Sequence, residues 1–274
     1  MRDGLLEFKD APMFGRIMRD KEICKEALQR ILGIEIADIE YLNVEQSLDP
    51  VLDAKGVRLD VFAKGSGKVY DIEMQRTNRL SLGKRMRYYQ ASMDVDCLAP
   101  GEDYEVLPES YVIFICEDDP YECGFPMYHL ERSCNEDNSV EVADSSHWLI
   151  LNASAWEKEP DKGRQNLLRY IYESSHTATN DALLSRIHEA VTKANQDRSW
   201  RGKAVGFLTL ESDYRAQKRA ARRIGHGEGI LLASKLIEDG READVDRAAK
   251  DEDYFAVLCE EYGIVLPSYE QQNQ

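Results

Sequence analysis

A chain of 274 residues, 43% of them hydrophobic and 31% charged, carries enough apolar material for a sizeable core and too much for a disordered chain. A formal net charge of −16 excludes a surface that coats nucleic acid over its whole extent, although local basic patches can still meet phosphate. No run approaches the roughly 18 consecutive apolar residues of a membrane span, and the opening MRDGLLEFKDAPMF lacks the apolar core of a secretion signal, so the expected setting is the cytoplasm.

In chain order, Asp10 reads as a helix cap, with Pro12 in the first turn and Phe14, Ile17 and Met18 on one stripe. A second cap at Asp20 opens KEICKEALQRIL, whose Ile23, Ala27, Leu28, Ile31 and Leu32 recur at helical spacing until Gly33 ends the helix. ADIEYLNVEQ reads as a strand. Residues 58 to 75, RLDVFAKGSGKVYDIEMQ, read as a β-hairpin turning at Gly65 and Ser66, with Gly65 supplying the positive φ of a tight turn. In that register Asp60 pairs with Asp71 and Arg58 with Glu73, while Leu59, Val61, Ile72 and Met74 share the opposite, apolar face.

A basic amphipathic helix comes next, from about Leu80 to Asp96, with Leu82, Met86, Tyr89 and Met93 inward. YVIFIC (111 to 116) has the continuous apolar character of a central strand covered on both faces. FPMYHLE and HWLILN read as further strands, the second ending near residue 152. Beyond KEPDKGR the pattern turns helical, through NLLRYIYES, DALLSRIHEAVTKA, YRAQKRAARR and GILLASKLIEDG, which divides the chain into a core of residues 1–155 and a helical C-terminal region of residues 156–274. The six cysteines form no C-x-x-C pair and read as buried thiols; the five histidines are dispersed with no H-x-x-x-H pair, which gives a histidine-based metal site little support.

The hairpin raises a chemical question, because Asp60, Asp71, Glu73 and Gln75 share one face. Crowded carboxylates repel unless a cation offsets them. Magnesium takes hard oxygen ligands and keeps several waters, so two acidic side chains, a backbone carbonyl and a substrate phosphate suffice to hold it. The alternative is a solvated polar face with an Arg58–Glu73 cross-strand pair. Glu22 and Glu26, one turn apart on a helix, are weaker candidates that read as a surface pattern. GHGEG (225 to 229) lacks the G-K-[ST] ending of a phosphate loop and reads as a break between helices.

The wording of DAKGVRLDVFAKGSGKVYDIEMQ (53 to 75), RMRYYQASMDVDCLAPGEDYEVLPESYVIFIC (85 to 116) and YHLERSCNE (128 to 136) resembles the PD-(D/E)xK nuclease family transposases, the branch that includes the recombination-promoting nucleases. The resemblance is strong over roughly residues 8 to 152 and looser beyond. It implies an α/β fold with a restriction-endonuclease-like mixed β-sheet core flanked by helices, and then the helical C-terminal region. It places the family's motif aspartate on Asp60 and its E-x-(K/Q) pair on Glu73 and Gln75. By that correspondence Asp60, Glu73 and Gln75 are catalytic, Asp60 and Glu73 hold Mg²⁺ or Mn²⁺, and DNA is the partner, with Arg79, Lys84, Arg85 and Arg87 against its phosphates. Leu59 stands where the superfamily has proline, and Gln75 replaces its lysine, which withholds a positive charge from the site. The implied activity is mobile-element-associated, magnesium-dependent DNA endonuclease action linked to recombination. The competing reading is a catalytically silent nuclease fold that binds DNA or another protein. No membrane partner is expected, and the oligomeric state stays open, a homodimer included.

Overall fold

The computed structural model describes residues 5–48, 57–76, 81–174, 180–209, 231–248 and 251–264. Two helices open it: α1 (Ala11–Met18), begun at Asp10 with Pro12 in its first turn, and α2 (Lys21–Leu32), whose cap Asp20 accepts from the Glu22 and Ile23 backbone N–H groups. Gly33, at φ 70°, ends α2 in the left-handed conformation that suits glycine.

Six strands then form one mixed sheet: β1 (Tyr41–Leu48), β2 (Val57–Gly65), β3 (Lys68–Gln75), β4 (Glu109–Cys116), β5 (Met127–Leu130) and β6 (Ser146–Asn152), in the order β1-β2-β3-β4-β6-β5. The first three strands are antiparallel neighbours, while β3, β4 and β6 run parallel and β5 returns antiparallel along β6. Helix α3 (Leu82–Cys97) carries the chain from β3 to the adjacent parallel β4. It lies on the sheet face made by Phe62, Val69, Val112, Phe114 and Ile150, and inserts Leu82, Met86 and Met93 into that layer. The other face meets α1, whose Met13, Phe14, Ile17 and Met18 are buried. With both faces covered, β4 is buried along nearly its whole length, as its apolar run requires.

The hairpin register differs from the one expected. Gly65 pairs with Lys68 inside the ladder, and the two turn residues are Ser66 and Gly67, at φ 54° and 70°. These two positive φ values fit the tight hairpin turn whose twist matches the flanking strands. Glycine at 65 answers a different demand, since a Cβ there would sit 2.3 Å from the Asp38 carbonyl oxygen. Asp71 therefore faces Phe62, and continuing the register sets Asp60, not Arg58, opposite Glu73. A slip of two residues on the partner strand preserves which side chains share a face, so the acidic face survives the correction.

Helices α4 (Lys162–Glu173) and α5 (Ala182–Gln196) come after the sheet, capped by Asp161 and Asp181. The change from strands to helices comes where β6 ends, near the expected division at residue 155, but α4 and α5 pack on α2, and α5 also packs on α1. The first compact unit consequently continues to Val205, and Gly206–Gln274 forms a second. Within the second unit, a helix over residues 231–238 and the helices Glu242–Ala248 and Glu252–Glu261 gather Leu232, Leu236, Leu258 and Cys259 into a small core. The basic stretch YRAQKRAARR lies outside the described residues. No helix among the described residues is long and apolar enough to cross a membrane.

Candidate active site

Past Val61 and Ile72 the hairpin ladder is carried on by side chains. Glu73 Oε1 accepts the Asp60 backbone N–H at 2.7 Å, and Asp60 Oδ2 accepts the Met74 backbone N–H at 3.2 Å. Each carboxylate thus spends one oxygen on the opposite strand, which fixes both side chains in one arrangement. These two side chains satisfy backbone donors where the direct β2–β3 register ends.

The acidic face is not solvated. Asp71 and Glu73 pair with Val112 and Phe114 of β4 and sit beneath α3, with Asp71 fully buried and Glu73 only 4% exposed. Burial first, then the neighbouring Asp60, pushes the Glu73 carboxyl up to about 8. Burial, with the charges of Glu73 and Asp60, holds Asp71 well above the ordinary carboxylate range. No backbone N–H or basic side chain donates to either Asp71 oxygen among the described residues, and the Glu73 carboxyl is within hydrogen-bonding reach.

The cation that approaches this group comes from α3. Arg85 Nη2 lies 3.4 Å from Glu73 Oε2 and donates to the Tyr89 hydroxyl at 3.1 Å, while its Nη1 donates to Gln75 Oε1. Its guanidinium is also 5.0 Å from the Phe114 ring centroid and 5.4 Å from that of Tyr89. Arg85 and Tyr89 stand one helical turn apart, so one face of α3 supplies both. The Tyr89 hydroxyl, pushed up to about 12 by burial and then by the Glu73 charge, stays protonated.

One residue beyond the strand ends lies an ion-pair cluster. Arg76 donates through Nη1 to Asp10 and through Nε to Glu117 at 3.2 Å, and the buried Lys9 reaches Glu117 at 2.7 Å and the Tyr172 carbonyl at 3.1 Å. Burial works against the Glu117 charge, yet Lys9 and Arg76 hold its carboxyl below the usual value. The Glu117 N–H also donates to the Gln75 carbonyl at 3.1 Å, which ties this cluster to the backbone at the site.

A family model described as PD-(D/E)XK nuclease family transposase matches residues 7–198. The chain belongs to this family. No curated protein and no solved structure matches it. The six-stranded mixed sheet with helices on both faces is consistent with the restriction-endonuclease-like fold of PD-(D/E)XK nucleases, and the matched span ends close to the end of the first compact unit.

Within this nuclease fold the structure brings Asp60, Glu73 and Gln75 together. Of the four basic residues expected on phosphate, Arg79 lies outside the described residues, Lys84 and Arg87 are exposed on α3, and Arg85 turns into the carboxylate group. Arg76, the residue that follows β3, is held by Asp10 and Glu117. Gln90 braces α3 on the sheet, donating to Ser110 Oγ at 2.7 Å and to Asp94 at 2.8 Å. Glu26 points to Arg186 of α5, a structural ion pair. Lys9 and Glu117 carry no sequence signal that separates them from surface charges. Tyr89, expected in the core, packs against Phe114, while its hydroxyl serves Arg85.

Proposed function

We propose that this family member is a divalent-metal-dependent DNA endonuclease that hydrolyses phosphodiester bonds, of the mobile-element-associated type. The observation that carries the reading is the pair of half-buried Asp60 and buried Glu73, locked by reciprocal backbone bonds beside a second buried carboxyl, Asp71. This all-oxygen set suits Mg²⁺ or Mn²⁺, and the upward shift of Glu73 reflects its burial first and then the Asp60 charge, which Arg85 only partly offsets. Asp60 and Glu73 would hold the ion, with the Met74 carbonyl as a further oxygen. When bound, such an ion neutralises charge on the transferring phosphoryl group and lowers the pKa of water.

The chain's own residues do the rest. Gln75, its carbonyl oxygen held by Arg85, presents amide N–H donors to a water or a phosphate oxygen. Arg85 supplies the positive charge that glutamine lacks, from a helix instead of the strand. Replacing Arg85 with Ala is expected to lower the cleavage rate by about 10²–10³, the scale of one preorganised donor at developing negative charge. Arg85→Lys should retain part of the rate, and single-turnover plasmid nicking reads both.

DNA would approach over α3. Substituting the exposed Lys84 and Arg87 with Ala should weaken binding and flatten the dependence of log K on log salt by about 0.9 for each phosphate that is no longer neutralised. Fluorescence anisotropy at several salt concentrations measures this, and an unchanged slope would remove α3 from the interface. A cytoplasmic setting goes with DNA as substrate and with buried cysteines such as Cys24 and Cys116 remaining thiols.

One observation favours the silent alternative, a DNA-binding or interaction module. Arg85 already touches Glu73 and Gln75, so part of the charge is balanced without metal. Plasmid nicking in Mg²⁺ or Mn²⁺, stopped by chelator, supports the enzyme; DNA binding without nicking in either ion supports the module.

A further inference from the structure

Strands β5 and β6 assemble a second cluster. Their antiparallel register pairs His129 with Leu149 and Leu130 with Trp148, and its continuation sets Glu131 opposite His147. His129, Glu131 and His147 therefore share one sheet face, the one opposite to that of Trp148, which packs toward α3. Glu131 Oε1 lies 3.1 Å from His129 Nε2 and 3.1 Å from His147 Nδ1, and one ligand atom from each residue falls within 4.8 Å of the others.

These spacings suit a metal. A tetrahedral Zn²⁺ with bonds of roughly 2.0–2.1 Å sets its ligand atoms about 3.3–3.4 Å apart. Two imidazoles and one carboxylate form a nitrogen and oxygen set that favours zinc over magnesium. The surroundings orient His147 as a ligand would need. Its other nitrogen, Nε2, is 3.3 Å from Glu109 Oε1, and its ring stacks on Tyr111 at 4.6 Å. Glu109 is itself held by Lys68 at 2.6 Å and by the Tyr111 hydroxyl at 2.5 Å. A carboxylate on the far nitrogen of a ligating histidine fixes the tautomer that leaves the near nitrogen to bind metal.

We infer that His129, Glu131 and His147 form a Zn²⁺ site, distinct from the carboxylate group, that clips the edge strand β5 to β6 across the chain excursion joining them. Three protein ligands leave a fourth position for water. The side chains of His129 and Glu131 are 44% and 56% exposed, so the ion can enter and either residue can be changed without opening the core.

The test is isothermal titration of Zn²⁺ into chelator-stripped, full-length protein in millimolar Mg²⁺, with circular dichroism to verify folding. Wild type should take up one tight equivalent. His129→Ala and Glu131→Gln should each weaken it at least tenfold, and His129→Cys, which returns a zinc ligand to the position, should recover it. Glu109→Gln should cost about 10–100-fold through the orientation of His147. Cys134→Ser and Asp60→Asn should leave the affinity unchanged, which separates this site from a half-buried thiol and from the proposed nuclease centre. Equal Zn²⁺ affinity and stoichiometry in wild type, His129→Ala and Glu131→Gln would overturn the assignment, as would a wild type that takes up no tight equivalent. In the latter case the three residues form only a histidine–carboxylate ion-pair cluster.

Discussion

Glu73→Gln is expected to lower DNA cleavage by about 10²–10³ while leaving the metal-free protein as stable as wild type or more so. The activity loss comes from removing one of the two charges proposed to hold the metal, and a single preorganised electrostatic group is worth about 10²–10³. The stability comes from the local chemistry. Glutamine keeps an oxygen to accept the Asp60 N–H, and it gives up only the 3.4 Å interaction with Arg85. In return it removes a carboxyl whose folded-state value is pushed from 4.5 to about 8 by burial and by Asp60. A raised carboxyl binds its proton more tightly in the folded chain, so its contribution to stability is full below about 4.5 and is lost as pH rises through about 8. The melting temperature of Glu73→Gln in chelator should therefore match wild type near pH 5 and exceed it near pH 8. A variant that melts far below wild type at both pH values would show that the Glu73 carboxyl itself supports the fold.

Divalent metal should reverse that penalty. An ion at a hundred times its Kd stabilises the folded state by about 2.7 kcal/mol, roughly 5–10 °C for a unit of this size. Because binding displaces the proton on Glu73, the Mg²⁺ or Mn²⁺ shift should grow from pH 6 to pH 8. Asp60→Asn keeps a side-chain oxygen for the Met74 N–H but drops a charge, and should lose most of the shift. Differential scanning fluorimetry across pH, with and without metal, measures both effects. Equal shifts in wild type and Asp60→Asn would place the ion elsewhere.

Much of this site is legible in the sequence because strand periodicity has period two. The acidic face of the hairpin emerges from alternation alone and survives an error in register, since a slip of two residues keeps every side chain on its face. The register itself is hidden at Gly65, where glycine is needed for the close approach of the Asp38 carbonyl and not for the turn. No spacing in the sequence reveals that α3 closes over the carboxylates. Without the docking of that helix, Arg85 reads as one more basic surface residue, and the crowded acids read as solvated. His129 and His147 are likewise separated in sequence and brought together only by the pairing of β5 with β6. The second compact unit lacks a sharp compositional border because α4 and α5, as helical as that unit, belong with the sheet.

The most direct measurement is the conversion of supercoiled plasmid to nicked circle by wild type, Glu73→Gln and Asp60→Asn, purified identically and used at equal concentration in Mg²⁺, Mn²⁺ and chelator. Wild type should nick in either metal and not in chelator, and both variants should be inactive while still binding the plasmid. Nicking by Glu73→Gln at the wild-type rate would contradict the assignment, because the activity would then reside in a contaminant or at another site.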